Sequence, residues 1–414
     1  MTKKILLSLL LMVSFMAVAQ QSTSSPYSFY GIGEIRFKGT VENRLMGGLS
    51  FMPDSIHVSI QNPASYSYLK LTTFTVGGSF NSGTLRTFTE KEKTQRSTLD
   101  YLAVAIPLKN SGVSFGLIPY SAVGYRVRNT DLTSGLIQKF EGTGGMNKVF
   151  LGYGLQLKPN LSIGAELNYN FGEIQTSSLK YIDGIQYGTL EENTTVLSGF
   201  NYKIGALYQR KIAKYDFYSG IHYNYNSNLT TNTDQTISSV TYSEYLSPLV
   251  VDQLSQNQST ARLHMPNQIS IGAGIGKTRN WMIGTEFTWN QSSAMGNRFD
   301  NITVASFKNG YKYSLGGFWI PNYNAFSNYF QKITYRTGFR YENTGLVIQN
   351  QTIKDYAFTA GFGLPLGGTF SNLNIGVEYG QKGTVLSNLV RENYTNVVMS
   401  LSLNDKWFVK RKYD

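Results

Sequence analysis

This sequence predicts an all-β fold: a transmembrane antiparallel β-barrel of about fourteen strands, with an N-terminal hatch segment in its lumen. Three observations point there. Charged residues make up only 15% of the 414 residues, while 29 Tyr, 24 Phe and 41 Gly can supply the aromatic girdles and small inward-facing positions a barrel needs. Apolar residues alternate strictly with small or polar ones over stretches longer than most soluble strands. Short turns and longer polar connections succeed one another in rhythm, as in a barrel with one end in the periplasm and the other outside the cell.

The chain begins with a targeting pattern. Lys3 and Lys4 form a basic region, Ile5 to Val18 is an almost unbroken apolar run, and Ala17-Val18-Ala19 fits a small-x-small cleavage site. Cleavage between Ala19 and Gln20 is expected, giving residues 1–19 as a signal peptide. The run falls short of the roughly 20 apolar residues of a helical span, and the chain has no second such run. With no cysteine, the chain has no disulfide, thiolate metal site or lipid-modified cysteine. The net charge of +12 falls to +10 once Lys3 and Lys4 leave with the leader. The only basic run is Lys410-Arg411-Lys412, so anionic lipid head groups or acidic partners are expected rather than nucleic acid.

Residues 20–69 differ in character from the rest of the chain. Ser25-Pro26-Tyr27, Arg44-Leu45-Met46-Gly47-Gly48 and Asn62-Pro63-Ala64-Ser65-Tyr66 are broken by glycine and proline and keep neither a two-residue nor a 3.6-residue period. Irregular short elements are expected, with Arg44, Met46, Gly47, Gly48, Asn62, Pro63 and Ala64 as the residues of a hatch. The plain alternative is an N-terminal extension with two turns.

Residues 70–414 carry the barrel. From Leu161 to Gly172 every odd residue is apolar and every even one small or polar, and the same pattern recurs in 269–276, 281–290 and 373–380. Twelve such residues are long enough to cross a bilayer at a tilt. Strands are expected near 70–88, 94–108, 112–127, 144–158, 160–176, 194–212, 215–230, 260–277, 280–292, 310–321, 330–346, 351–366, 370–386 and 390–409. Lys109-Asn110-Ser111-Gly112, Lys158-Pro159-Asn160, Lys277-Thr278-Arg279-Asn280 and Gly367-Gly368 are expected as periplasmic turns. Extracellular loops are expected at Arg128 to Gly145, Gln175 to Asn193, Asn226 to Thr260, Gln291 to Gly310 and Tyr323 to Tyr329. The alternating C-terminal strand ending near Trp407-Phe408 suits recognition by barrel-assembly machinery during insertion.

Charges facing lipid are expensive, so those on strands should point inward. Glu166, Glu286, Arg336, Arg340, Glu342 and Glu378 are therefore expected in the lumen, pairing with one another or fixing the hatch through Arg44. Tyr30, Trp281, Trp289, Trp319 and Trp407 are expected in the girdles. Tyr242, Tyr245, Leu246, Leu249 and Val250 form an apolar cluster in the longest loop, suited to ligand capture or partner docking. The three histidines, His57, His222 and His264, lack convergent partners for catalysis or metal binding. Gly142-Thr143-Gly144-Gly145 lacks the Lys-Ser/Thr of a phosphate loop and reads as a strand-entry turn. No enzyme activity and no cofactor are expected.

Asn62-Pro63-Ala64-Ser65 before the first strand, preceded by Arg44-Leu45-Met46-Gly47-Gly48, resembles the N-terminal region of the FadL/OmpP1/TodX family. Tyr311-Lys312-Tyr313-Ser314-Leu315-Gly316-Gly317 resembles a late strand of that family. The resemblance implies a fourteen-stranded barrel integral to the outer membrane of a Gram-negative bacterium, with an N-terminal hatch. It implies passive uptake of hydrophobic small molecules such as long-chain fatty acids. The family also includes barrels that serve as subunits of machines, some in type IX protein secretion. The alternative is therefore a non-transporting subunit or scaffold of an assembly or secretion complex, with other outer-membrane proteins as partners. An apolar cavity beside the hatch would favour uptake, and a filled lumen would favour the scaffold.

Overall fold

The computed structural model describes residues 23–131, 133–182, 184–225, 228–243, 246–296, 305–325, 328–367 and 370–407. The expected cleavage-site residues Ala19 and Gln20 therefore lie outside the described residues, as does Tyr245. Fourteen strands close a barrel: β1 (Thr72–Arg86), β2 (Lys91–Pro107), β3 (Ser111–Asp131), β4 (Leu136–Lys158), β5 (Leu161–Ile182), β6 (Tyr187–Ile212), β7 (Tyr215–Tyr225), β8 (Gln268–Lys277), β9 (Trp281–Asn290), β10 (Gly310–Trp319), β11 (Thr334–Ile348), β12 (Gln351–Pro365), β13 (Asn372–Lys382) and β14 (Arg391–Asp405). Neighbours in sequence pair antiparallel. β14 closes on β1 from Arg391 opposite Arg86 to Asp405 opposite Thr72. Closure leaves the spanning part without a free edge, which the hydrocarbon layer requires.

Side-chain alternation sets the two faces. Leu151, Leu167, Ile204, Ile271, Leu315 and Phe358 are exposed on the outside, where lipid would cover them. The residues between them face inward and include glycine, serine, asparagine and charged residues, with buried apolar ones such as Tyr101, Phe150 and Val398 packed toward the interior. Two in-register glycine rows result. Gly154, Gly164 and Gly205 lie side by side on β4, β5 and β6, and Gly274, Gly284, Gly316 and Gly338 on β8 to β11.

The wall is uneven. β8, β9 and β10 have 10 residues each, about what a tilted span needs. β3 to β6 have 21, 23, 22 and 26. Their turns at one end are tight, so the excess rises from the opposite, extracellular end. A hairpin of Asn228–Ser243 and Leu246–His264 continues this wall. Its first strand pairs with Tyr187 to Ser198 of β6, directly above the stretch of β6 that pairs with β7.

Several loop expectations therefore change. Arg128 to Gly145 and Gln175 to Asn193 are strand over most of their length, because their polar residues satisfy one another's backbone in a ladder standing in water. Asn226 to Thr260 is mostly the hairpin, and β8 begins only at Gln268. Gly142 to Gly145 lie within β4, not at a turn. Tyr323 to Tyr329 lies at the periplasmic end, since β10 descends to Trp319 and β11 rises from Thr334.

Candidate functional site

The N-terminal segment from Thr23 to Leu71 lies inside the barrel. It is held by short local elements: a 3₁₀ turn at Pro26–Phe29, an α-helical turn at Val41–Arg44 and a 3₁₀ helix at Pro63–Tyr68. Pro63 pre-sets the first backbone angle of the last element. The Asn62 side chain caps it by accepting from the Ala64 N–H at 3.1 Å. Glu34–Ile35 adds two residues of antiparallel pairing to β3, opposite Ala122 and Ser121.

The glycine rows form the seats. Any side chain on Gly154 or Gly164 would meet the Pro63 backbone, and one on Gly205 would strike Asn62. On the opposite side Phe51 lies over Gly272, Gly274 and Gly284, while the backbone of Met46 and Gly47 lies on Gly316 and Gly338. Gly47 and Gly48 have φ of +72° and +94°, a region that only glycine enters readily, and this turns the chain away from the wall.

Three inward glutamates on β5, β9 and β13 each hold one part of the segment. Glu166 accepts from the Tyr66 hydroxyl at 2.8 Å and pairs with Lys203 at 2.6 Å, and Lys203 also donates to the Ile60 carbonyl at 3.0 Å. Glu286 accepts from the Ser50 N–H at 2.7 Å and its hydroxyl at 2.8 Å. Glu378 pairs with Arg44 and, at 2.9 Å, with Arg340. Arg44 also meets Asp100 at 3.3 Å, and Arg340 meets Asp355 at 3.0 Å. Further bonds surround these. Asn62 donates to the carbonyls of Ala206 and Ile221, both at 3.3 Å. Glu42 accepts from Asn374 at 2.7 Å, and the Leu45 carbonyl accepts from Thr359 at 3.0 Å.

The upper part is fixed similarly. Glu34 pairs with Lys382 at 3.1 Å and Arg96 at 3.6 Å. Burial alone would raise the Glu34 carboxyl, but these two cations hold it well below the usual range. Near the periplasmic mouth Asp54 and His57 pair at 2.8 Å. Burial opposes both charges. The imidazolium nevertheless holds Asp54 down at about 2, and the carboxylate holds His57 above its ordinary value.

A cavity of about 280 Å³ remains beside the segment. Arg36, Lys38, Lys312, Arg340, Glu342 and Asp355 are among its lining residues. Arg336 is buried lower down and donates to Asn374 at 2.8 Å. Glu166, Glu286 and Glu378 are likewise buried, and Arg340 and Glu342 line the cavity. Lys203, Lys148 and Asp100 were not expected there. Lys203 and Lys148 obey the same rule, as charges at inward positions of alternating strands, whereas Asp100 turns inward because it is the extra residue of a bulge between Leu99 and Tyr101. Tyr66, Ser50 and Phe51 carried no signal, because their roles depend on which wall residue lies opposite.

Tyr30 is not a girdle residue. It belongs to the lumenal segment and packs edge-on to Phe29, with centroids 5.2 Å apart. Trp281 and Trp319 lie opposite one another at the periplasmic end of the outer face, with Trp289 at the other end. Leu249 and Val250 are exposed on the outer hairpin strand. Tyr242 and Leu246 lie on its two strands, and their side chains are outside the described residues.

A protein-family model described as BamG matches residues 1–414. No curated protein matches the chain significantly. Among solved structures, the toluene transporter TbuX of Ralstonia pickettii is similar with a TM-score of 0.60 at 13% identity, covering 89% of this chain and 99% of TbuX. The Pseudomonas putida toluene transporter TodX gives 0.59 at 13%, covering 92% and 99%. CymD, a monoaromatic hydrocarbon channel, gives 0.57 at 12%, covering 92% and 99%. At these identities the likeness is one of fold: a closed antiparallel barrel like those of TbuX, TodX and CymD.

Proposed function

The chain belongs to the BamG family, and we propose that it works as a closed, non-transporting barrel, a subunit or scaffold of an outer-membrane protein assembly or secretion complex. The clamped lumen carries this reading. A path for apolar molecules should be lined mainly by apolar side chains. Here the space beside the segment carries Arg36, Lys38, Lys312, Arg340, Glu342 and Asp355 among apolar residues such as Phe37, Met295 and Phe307, so no continuous apolar path runs past the segment's charges. An uncharged hydrocarbon passing them would displace water from ionic groups and give nothing back, a cost of several kcal/mol. Shifting the segment would break bonds to Glu166, Glu286 and Glu378 together.

The test is purification of the tagged protein from native outer membrane in mild detergent, with mass spectrometry of proteins and lipids. A stoichiometric set of protein partners is expected. A lone barrel carrying fatty acid or hydrocarbon would sink the reading.

One observation favours a second reading, passive uptake of hydrophobic molecules such as long-chain fatty acids past a movable hatch: the fold is shared with solved hydrocarbon channels. Under it, cells lacking the protein take up labelled toluene or oleate more slowly, and restoring the gene restores the rate.

A further inference from the structure

The hairpin strand Leu246–His264 pairs with Asn228–Ser243 along one edge only, so among the described residues its other edge has no strand partner. Apart from half-buried Ser255, Val250 to Arg262 are exposed. The lower end is covered, with Leu263 packed among Leu229, Met265 and Met295. From Ala261 upward the edge stands free, above the membrane.

We propose that this edge is a docking site for an extended segment of a different, surface-exposed protein, which adds a strand to the hairpin. The proposal rests on the scaffold reading and names the surface that reading needs. Three observations identify the occupant. First, an open edge is a row of alternating N–H donors and C=O acceptors, which another strand matches in spacing. Second, from Gln256 to His264 the strand lacks the devices that blunt edges. Between Leu246 and His264 the only charged residues are Asp252 and Arg262, and there is no lysine. The extracellular end of β2 carries Lys91, Glu92 and Lys93 in succession. Register shifts and Pro248 interrupt only the tip, up to Ser255, and pairing is regular from Gln256 to His264. Third, Leu249, Val250, Val251 and Leu254 are exposed in succession at the tip. Apolar clusters that no lipid covers mark interaction sites. The occupant is therefore a low-charge strand, laddered along Gln256 to Arg262, with aliphatic side chains toward the tip.

A second copy of this chain does not fit. Two copies in one membrane relate by an axis along the membrane normal. Barrel strands tilt about 35–45° from that normal, so the paired edges would cross at about 70–90° and could not form a ladder.

The test places a photo-crosslinking residue at Gln258 in the full-length protein in its native outer membrane. Single prolines at Gln256 and Asn257 accompany it. Adjacent N–H groups point to opposite sides of a strand, so one proline disturbs the hairpin's own ladder and the other removes only an outward donor. Protease resistance of the hairpin tells them apart. Crosslinking to one extended stretch of a partner is expected, falling at least about tenfold with the outward proline. Val250→Asp with Leu254→Asp, both on the surface, should lower it similarly. Crosslinks confined to lipopolysaccharide or to a second copy overturn the proposal, as do crosslinks indifferent to these substitutions. Wild-type protein that purifies alone overturns the scaffold reading itself. Partners retained equally by wild type and variants overturn only the edge.

Discussion

Glu378 lies between Arg44 of the segment and Arg340 of the wall. Its replacement by glutamine would leave two buried guanidinium groups short of a counter-charge. Removing one partner from such a network costs about 3–5 kcal/mol. Glu378→Gln should therefore lower the thermal unfolding midpoint in detergent and expose the bond after Arg44 to trypsin. The Asp54–His57 pair gives a pH-dependent counterpart. Asp54 is held below its ordinary 3.8, so its share of stability is present above that value and lost as pH falls toward about 2. His57 is raised above 6.5, so its share is present below 6.5 and lost as pH rises through the raised value. The pair is strongest between these limits. Hydrogen exchange of residues 52–58, corrected for intrinsic rates, should be slower at pH 6 than at pH 9, and His57→Gln should abolish the difference.

Among the elements, the glycine rows matter most. Replacing Gly338 with valine would drive a side chain into Gly47, and Gly164 with valine into Pro63. In both cases the strand ladder stays intact. The expected outcome is a barrel that still migrates as folded on unheated gels while its N-terminal segment becomes sensitive to protease. Phe51→Ala, which empties the space over Gly284, should cost about 3–5 kcal/mol in the same unfolding assay. Alternation already placed Gly164, Gly284, Glu166 and Glu378 on the inner face, because a two-residue period is local. What alternation cannot supply is register. That Gly284 falls beside Gly316, or that Tyr66 meets Glu166, depends on pairing strands distant in sequence. Register also explains the loops that became wall. Thr176, Ser177, Ser178 and Asn193 look like loop residues singly, yet they pair across β5 and β6.

As a whole, the molecule is a cylinder with one raised side and the N-terminal segment packed within it. In planar bilayers the wild-type protein should conduct few ions, since Phe51, Pro63 and the Arg44 network cross its interior. Combining Gly164→Val with Gly338→Val should open steady conductance, and an equally silent double variant would mean that the segment is not what closes the lumen.

The enclosed segment also implies an order of events. It precedes the wall in the chain, yet it touches strands from β2 to β14, and the β14–β1 seam joins the wall's first and last strands. A folded loop with Phe51 and Tyr66 in place cannot be threaded into a finished cylinder. The wall must therefore be cast around the segment, which acts as its former, and the seam can shut only once the segment is inside. Loss of a seat should then appear as slower closure and a lower yield of inserted protein before it appears as an altered finished barrel.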